Sequence, residues 1–325
     1  MTRLLLRRIV LGFLTLWVVS VLVFAATQAL PGDPARAILG RTATPERLEA
    51  VRTQLNLDRP VLEQYAVWFG GVLRGDLGTS LASREPVSEL IGKRVGNSAL
   101  LVLVAGAVAI PLGFALGIAG AVRRDKPLDH GLSLGTLVLA ALPEFVIGIV
   151  LILLLATGVA QVFPAVSLLS PDEPAWRQLD KVVLPAATLV LAVIPYVTRM
   201  VRASMIEVLE SEYIEMSRLK GLRERLVVFR HAFPNALVPG IQVTALSLAW
   251  LAGGVVVVEF VFRYAGIGEA LVNAVANRDL PVVQALALLA ATVYVGLNLL
   301  ADVATILVTP KLRTAIAGRE REASA

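Results

Sequence analysis

"SALLVLVAGAVAIPLGFALGIAGA", Ser98 to Ala121, runs for 24 residues without a charge. As a helix rising about 1.5 Å per residue it reaches about 36 Å, enough to cross roughly 30 Å of hydrocarbon. Pro111 lies inside it and is tolerated in a membrane helix, where neighbours can satisfy the backbone group it frees. The small residues of "GFALGIAG" (Gly113 to Gly120) suit close packing against another helix. Arg123, Arg124 and Lys126 follow at once. The stretch reads as a membrane span, and the fold class that follows is an all-α integral membrane protein.

Working outward, five more apolar blocks appear at about 9–30, 133–157, 182–200, 236–260 and 284–308, for an expected total of six transmembrane helices. Pro143, Pro185 and Pro195 lie inside two of them. The whole chain is 57% hydrophobic with a mean hydropathy of +0.76, where a soluble domain sits nearer 45–50%. The first block follows Arg7 and Arg8, as in a signal peptide. It is too long for that, and no small-residue cleavage site precedes "LPGDPA" (Leu30 to Ala35), so it reads as a retained span.

Basic loop residues orient the spans. With the N-terminus inside, 17 of the 30 Lys and Arg fall on the cytoplasmic side, among them Arg3, Arg7, Arg8, Arg123, Arg124 and Lys126. The short outer loops hold only Arg177, Lys181, Arg263 and Arg278. Both termini are expected in the cytoplasm. The net charge of +5 is thereby explained by topology and needs no nucleic acid. The chain has no cysteine, which excludes disulfides and thiolate chemistry, and its only histidines are His130 and His231, too few for a histidine-rich metal site.

Four regions result: the N-terminal segment and first span (1–30), an extracytoplasmic helical region (31–97), a five-helix core (98–308) with a cytoplasmic loop at 201–235, and a cytoplasmic tail (309–325). In 31–97, Thr44–Pro45 is a helix start, and helical spacing runs through Leu48, Val51 and Leu55 and again through Leu62, Tyr65 and Phe69. So short a region buries little core alone and should pack on the outer membrane face.

The loop "EYIEMSRLKGLRERLVVFRH" (Glu212 to His231) is strongly polar between two apolar spans. Ser211 can cap a helix start. Glu212 and Glu215 lie in its first turn and Arg218 and Lys220 in its last, matching the helix dipole. Gly221 then offers a left-handed end. A helix of about nine residues is marginal in water. Its apolar side chains Tyr213, Ile214, Met216 and Leu219 therefore need a packing surface.

"EYIEMSRLKGL" followed by "FRHAFPNALVP" resembles the cytoplasmic coupling loop of permease subunits of ABC importers, most closely the dipeptide/oligopeptide/nickel family. Ser217 and Leu219 stand where that family usually has alanine. The resemblance extends over nearly the whole chain, through "VLVFAATQALPGDPA" (Val21 to Ala35), "LNLDRPVLEQYAVWFGGVLRGDLGTS" (Leu55 to Ser80), "GGVVVVEFVFRYAGIGEALVNAVANRDLPVV" (Gly253 to Val283), "NLLADV" (Asn298 to Val303) and "TPKLR" (Thr309 to Arg313).

The resemblance implies a non-catalytic transport subunit of a bacterial inner (plasma) membrane. It implies pairing with a second homologous permease, docking of two cytoplasmic ATP-binding subunits that hold ATP and Mg, and delivery of solute by an extracytoplasmic binding protein. Glu212, Tyr213, Ile214, Met216, Ser217, Arg218, Lys220, Gly221 and Leu222 would couple to the ATPase. Consistently, no G-x-x-x-x-G-K-[ST] phosphate loop occurs in the chain, so it should carry no cofactor or metal of its own. Glu144 and Glu259 are candidates for the substrate path. Gly266 and Gly268, which allow a tight turn, and Asn273 are candidates for contact with the binding protein. The alternative is an ion-coupled secondary transporter or channel using the intramembrane acids Glu144 and Asp302. A membrane enzyme has no support from a G-x-S-x-G or H-E-x-x-H motif.

Overall fold

In a computed structural model the described residues are 2–29, 44–54, 58–158, 161–170 and 173–308. The expected tail 309–325, the exit of the first span at 30–43 and Leu55 lie outside them. The described chain is helical, with one isolated bridge between Thr79 and Pro86. The helices are α1 (Thr2–Ala29), α2 (Pro45–Gln54), α3 (Val61–Leu73), α4 (Val87–Val122), α5 (Pro127–Ala141), α6 (Glu144–Ile152), α7 (Leu179–Leu209), α8 (Glu212–Leu219), α9 (Glu224–Leu226), α10 (Phe233–Phe262), α11 (Ile267–Ala276) and α12 (Leu280–Val308).

Four helices among the described residues are long and apolar enough to cross a membrane, or five when α5 and α6 count as one broken span. Their outward side chains are apolar, as a lipid-facing or partner-facing surface requires: Phe13, Leu103, Leu134 and Leu300 are all more than 60% exposed. At the centre stands α7, with 72% of its apolar window buried against 11% for α1.

The glycines of "GFALGIAG" bring α4 onto α7. A Cβ on Gly113 would stand 2.8 Å from the Val197 Cβ, and one on Gly117 would stand 2.8 Å from the Thr198 carbonyl oxygen. One turn on, Gly120 leaves room for a buried ion pair in which Arg202 of α7 donates through Nε and Nη2 to Asp129 of α5 at 2.5 and 2.6 Å. At the periphery α1 pairs with α12. Gln284 donates to Thr27 (2.8 Å), and Arg8 pairs with Asp302 (2.5 Å).

Two expectations about the spans change. The block at 133–157 is broken into α5 and α6, bent by 102°. Pro143 is the cause: it has no N–H to continue the ladder, and it drives Leu142 into the extended region (φ −88°, ψ 131°). The block at 98–121 begins eleven residues earlier than its apolar stretch, at Val87. At about 54 Å, α4 is longer than the roughly 30 Å hydrocarbon core.

Between α1 and α4, α2 starts at Thr44–Pro45 as expected, with the Leu48 N–H bonded to the Thr44 carbonyl (2.9 Å). Helix α3 lies against the outer part of α1 through aromatic contacts of Phe24 with Tyr65 and Trp68, while Tyr65 stacks on Phe69 at 5.5 Å. Leu62 does not join them and is 83% exposed. Aromatic rings suit the headgroup level of a bilayer, so this helix is placed to lie on the membrane interface.

Candidate functional site

The polar loop after α7 folds into a short arm. Ile214, fully buried, is the one residue of α8 inside the protein. It belongs to the main core together with Met205, Val227, Val228 and Ala232, and half-buried Leu222 packs against the same core. The opposite side of α8 presents Tyr213, Met216 and Leu219, spaced one helical turn apart and 45%, 53% and 75% exposed. An eight-residue helix is marginal alone; this one is held by a single buried anchor and leaves an apolar stripe uncovered.

Polar contacts fix the arm's pose. Arg218 donates to both carboxylate oxygens of Glu224 (3.2 and 2.7 Å) and to the Leu209 carbonyl (3.3 Å), so it ties α8 to α9 and to the end of α7. The Arg218 guanidinium holds the Glu224 carboxyl below its ordinary range, and Glu224 raises Arg218 in return. Asn235 of α10 donates to the Tyr213 hydroxyl (3.0 Å), and Ser217 donates to the Tyr213 carbonyl (2.8 Å). Arg124, just beyond α4, pairs with Glu210. Gly221 ends the helix with φ +76°, the left-handed cap expected for it. The expected Ser211 cap does not form: its hydroxyl turns back to the Val208 carbonyl at 2.5 Å, so the backbone alone starts α8. Glu212, Glu215 and Lys220 are exposed. Through these contacts α8 is bonded to α7, α9 and α10.

The outer turn between α10 and α11 is built around Glu259, which is fully buried. It accepts from the Ser98 hydroxyl (2.5 Å) and from the backbone N–H groups of Gly268 (2.7 Å) and Glu269 (3.4 Å). The carboxylate thus caps the first turn of a neighbouring helix, where unsatisfied N–H groups favour an anion. Gly266 and Gly268 are the space this needs: a Cβ on either would run into Glu259 or the α10 backbone at Val256. Neither glycine uses a left-handed backbone.

Both glycines are buried within the chain. Half-buried Asn273 bonds to Glu269, which pairs with Arg94 at 2.6 Å. The exposed outer end of α11 is instead Val275 to Arg278. Both oxygens of Glu259 are committed to this turn. The sequence reading missed Asp279, which accepts from the Ser80 hydroxyl (2.5 Å) and the Leu81 N–H (3.0 Å) and so pins the loop before α4 to the start of α12.

Glu144 begins α6 at the bend and faces inward. Its carboxylate lies against Gly254 of α10, where a Cβ would come within 2.6 Å of Oε2. Asp302, the other intramembrane acid, is spent on Arg8.

The described geometry is that of a helical membrane component with a short polar arm, and the comparisons agree that it is a membrane component. Residues 109–314 match the family described as the inner membrane component of binding-protein-dependent transport systems. The chain belongs to this family. The permease also matches the N-terminal model of the same components over residues 1–102. A Brucella abortus (strain 2308) protein with the provisional name of a peptide transport system permease is 36% identical to it over 313 residues, 96% of this chain and 99% of that protein. The glutathione transport system permease protein of Pectobacterium atrosepticum is 37% identical over 300 residues, 92% of this permease and 95% of that protein. The corresponding Salmonella choleraesuis protein is also 37% identical over 300 residues. The permease is therefore a subunit of an ABC importer and has a transport rather than a catalytic role.

Proposed function

We propose that the permease imports peptides or similar small solutes across the bacterial inner membrane. It forms half of a path completed by a second homologous permease. Two cytoplasmic ATP-binding subunits, which hold the ATP and Mg, grip the coupling arms, and an extracytoplasmic binding protein delivers the solute. The single observation that carries the coupling role is α8 itself: one buried residue, Ile214, and a bare stripe of Tyr213, Met216 and Leu219 on the far side. Such a stripe is suited to a partner's groove, and a helix clamped between two bodies can pass on a rigid movement. The peptide reading rests on the relatives' names and on their near-complete coverage of the chain. Under the ion-coupled alternative Asp302 should be available, yet it is paired with Arg8.

In this reading α1, α4, the broken pair α5–α6, α7, α10 and α12 are six spans, with both termini cytoplasmic and 31–97 outside. The chain contains no cysteine, so single cysteines report topology directly. A cysteine at exposed Ser83 is expected to react with an impermeant thiol reagent applied from outside, and one at exposed Lys220 only after the membrane is opened. The reverse pattern would refute the orientation.

The outer contact follows from exposure. A photo-crosslinker on a cysteine at Arg278, at the exposed end of α11, is expected to capture the loaded binding protein, and one at half-buried Asn273 to capture it at least about tenfold less. Capture only from Asn273 would move the docking surface back to the tight turn. Co-purification with the neighbouring ATPases, followed by uptake assays in vesicles, tests the function as a whole.

A further inference from the structure

Beside the break between α5 and α6 lies an open pocket of about 380 Å³, lined by Leu139, Pro143, Glu144, Ala192, Tyr196 and Val257 among others. That volume lies within the range of small-molecule sites, roughly 300–1,000 Å³. Four helices meet there, α5, α6, α7 and α10, and its lining contains one charge, Glu144, and no cation. Among the described residues the buried side-chain polar atoms without a hydrogen-bond partner are Glu144 Oε2, Ser167 Oγ and Thr198 Oγ1, of which only the first belongs to an ionisable group. The other acids of the spans that are not exposed are occupied: Asp129 by Arg202, Glu259 by the α11 turn and Asp302 by Arg8. An intramembrane carboxylate is costly unless it is paired, and this one lines the cavity wall with its Oε2 buried beside Gly254 and without a hydrogen-bond partner. Tyr196 and Val257, on the cavity wall, are 51% and 39% exposed, so the cavity opens to the surface of the chain.

We infer that this cavity is an ammonium-binding subsite of the translocation path, in which Glu144 receives the primary amine of a solute such as a peptide N-terminus; the inference rests on the peptide-import reading above. A peptide α-amino group has a pKa of about 7.7–8.0 and is mostly protonated at neutral pH. Beside a carboxylate in a low-dielectric site it stays so. A solute lacking that charge leaves Glu144 unpaired, so the site selects among ligands as well as binding them.

Two measurements on the assembled complex, freed of other reactive cysteines, test this. The first probes charge without transport. A cysteine placed at Val257 is expected to react about tenfold faster with a cationic methanethiosulfonate than with an anionic one of similar size. Glu144→Gln should abolish that preference and Glu144→Asp should keep it. No preference in the parent, or a preference that survives Glu144→Gln, overturns the proposal. The second compares uptake of free-amine dipeptides with that of their N-acetylated forms. Glu144→Gln is expected to lower free-amine uptake about tenfold relative to the acetylated forms. Equal losses for both overturn the selective role. If the parent complex imports neither dipeptide while the cysteine keeps its preference for the cationic reagent, the peptide reading fails and the cation site stands.

Discussion

Glu259→Ala is expected to destabilise the permease by about 3–5 kcal/mol, the largest effect of any single change considered for this chain. The substitution removes the acceptor for the Ser98 hydroxyl and for the N–H groups of Gly268 and Glu269 in a fully buried position. The hydroxyl can rotate to another partner, but the Gly268 N–H cannot, and each buried donor left without a partner costs about 1–3 kcal/mol. The vacated carboxyl volume adds a cavity between α10 and α11. Glu259→Gln keeps one acceptor oxygen but turns an amide N–H₂ toward donors, so an intermediate loss is expected. Glu85→Ala, at an exposed position in the outer loop, is the control and should change little. The measurement is the denaturation midpoint of the purified complex in detergent. A Glu259→Ala midpoint equal to that of Glu85→Ala would show that the turn is held by other contacts.

Gly221→Val is expected to leave the permease inserted and assembled but to cut solute uptake by at least about tenfold. Gly221 sits at φ +76° with nothing within 4 Å of where a Cβ would stand, so no clash is involved and the backbone alone decides. An L-residue in the left-handed region costs roughly 1–2 kcal/mol, and a β-branched one is among the least tolerant. The chain relieves that strain by opening the end of α8, which misplaces Leu219 and Lys220 and the entry to Leu222. Solute-stimulated ATP hydrolysis should fall together with uptake, while unstimulated hydrolysis persists. Gly221→Asn discriminates, because asparagine visits the left-handed region readily and should restore most of the coupling. Uptake by the valine variant at the parent level would remove α8 from the drive train.

The short helix of the arm was legible because its signals are local. Charge order along Glu212 to Lys220 and a glycine one residue beyond define a short helix and its end, and both stand in the structure. Its inward residue was not legible. Tyr213, Ile214, Met216 and Leu219 look alike in sequence, and only the packing against Val227 and Ala232 makes Ile214 the anchor and bares the other three. The Ser211 cap failed for a related reason: its hydroxyl had a nearer carbonyl to meet, at Val208. The third span was read as one helix because hydropathy cannot distinguish a kinked helix from a broken one. Pro143 allows either, and the room beside Gly254 for the Glu144 carboxylate accompanies the break.

By itself the sequence determined what depends on composition and short spacing. It established an apolar helical chain, the absence of cysteine chemistry, and a family recognisable from ordered motifs along almost all of its length. Tertiary structure decided where each acid goes. Ser98 meets Glu259 across 161 residues and Ser80 meets Asp279 across 199, distances over which no periodicity carries information. A carboxylate in a membrane protein takes its role from whatever donor or cation the fold brings within about 3 Å. For Glu259 that is the first turn of α11, for Asp302 it is Arg8, and the Glu144 Oε2, buried beside Gly254 at the cavity wall, is given no donor among the described residues.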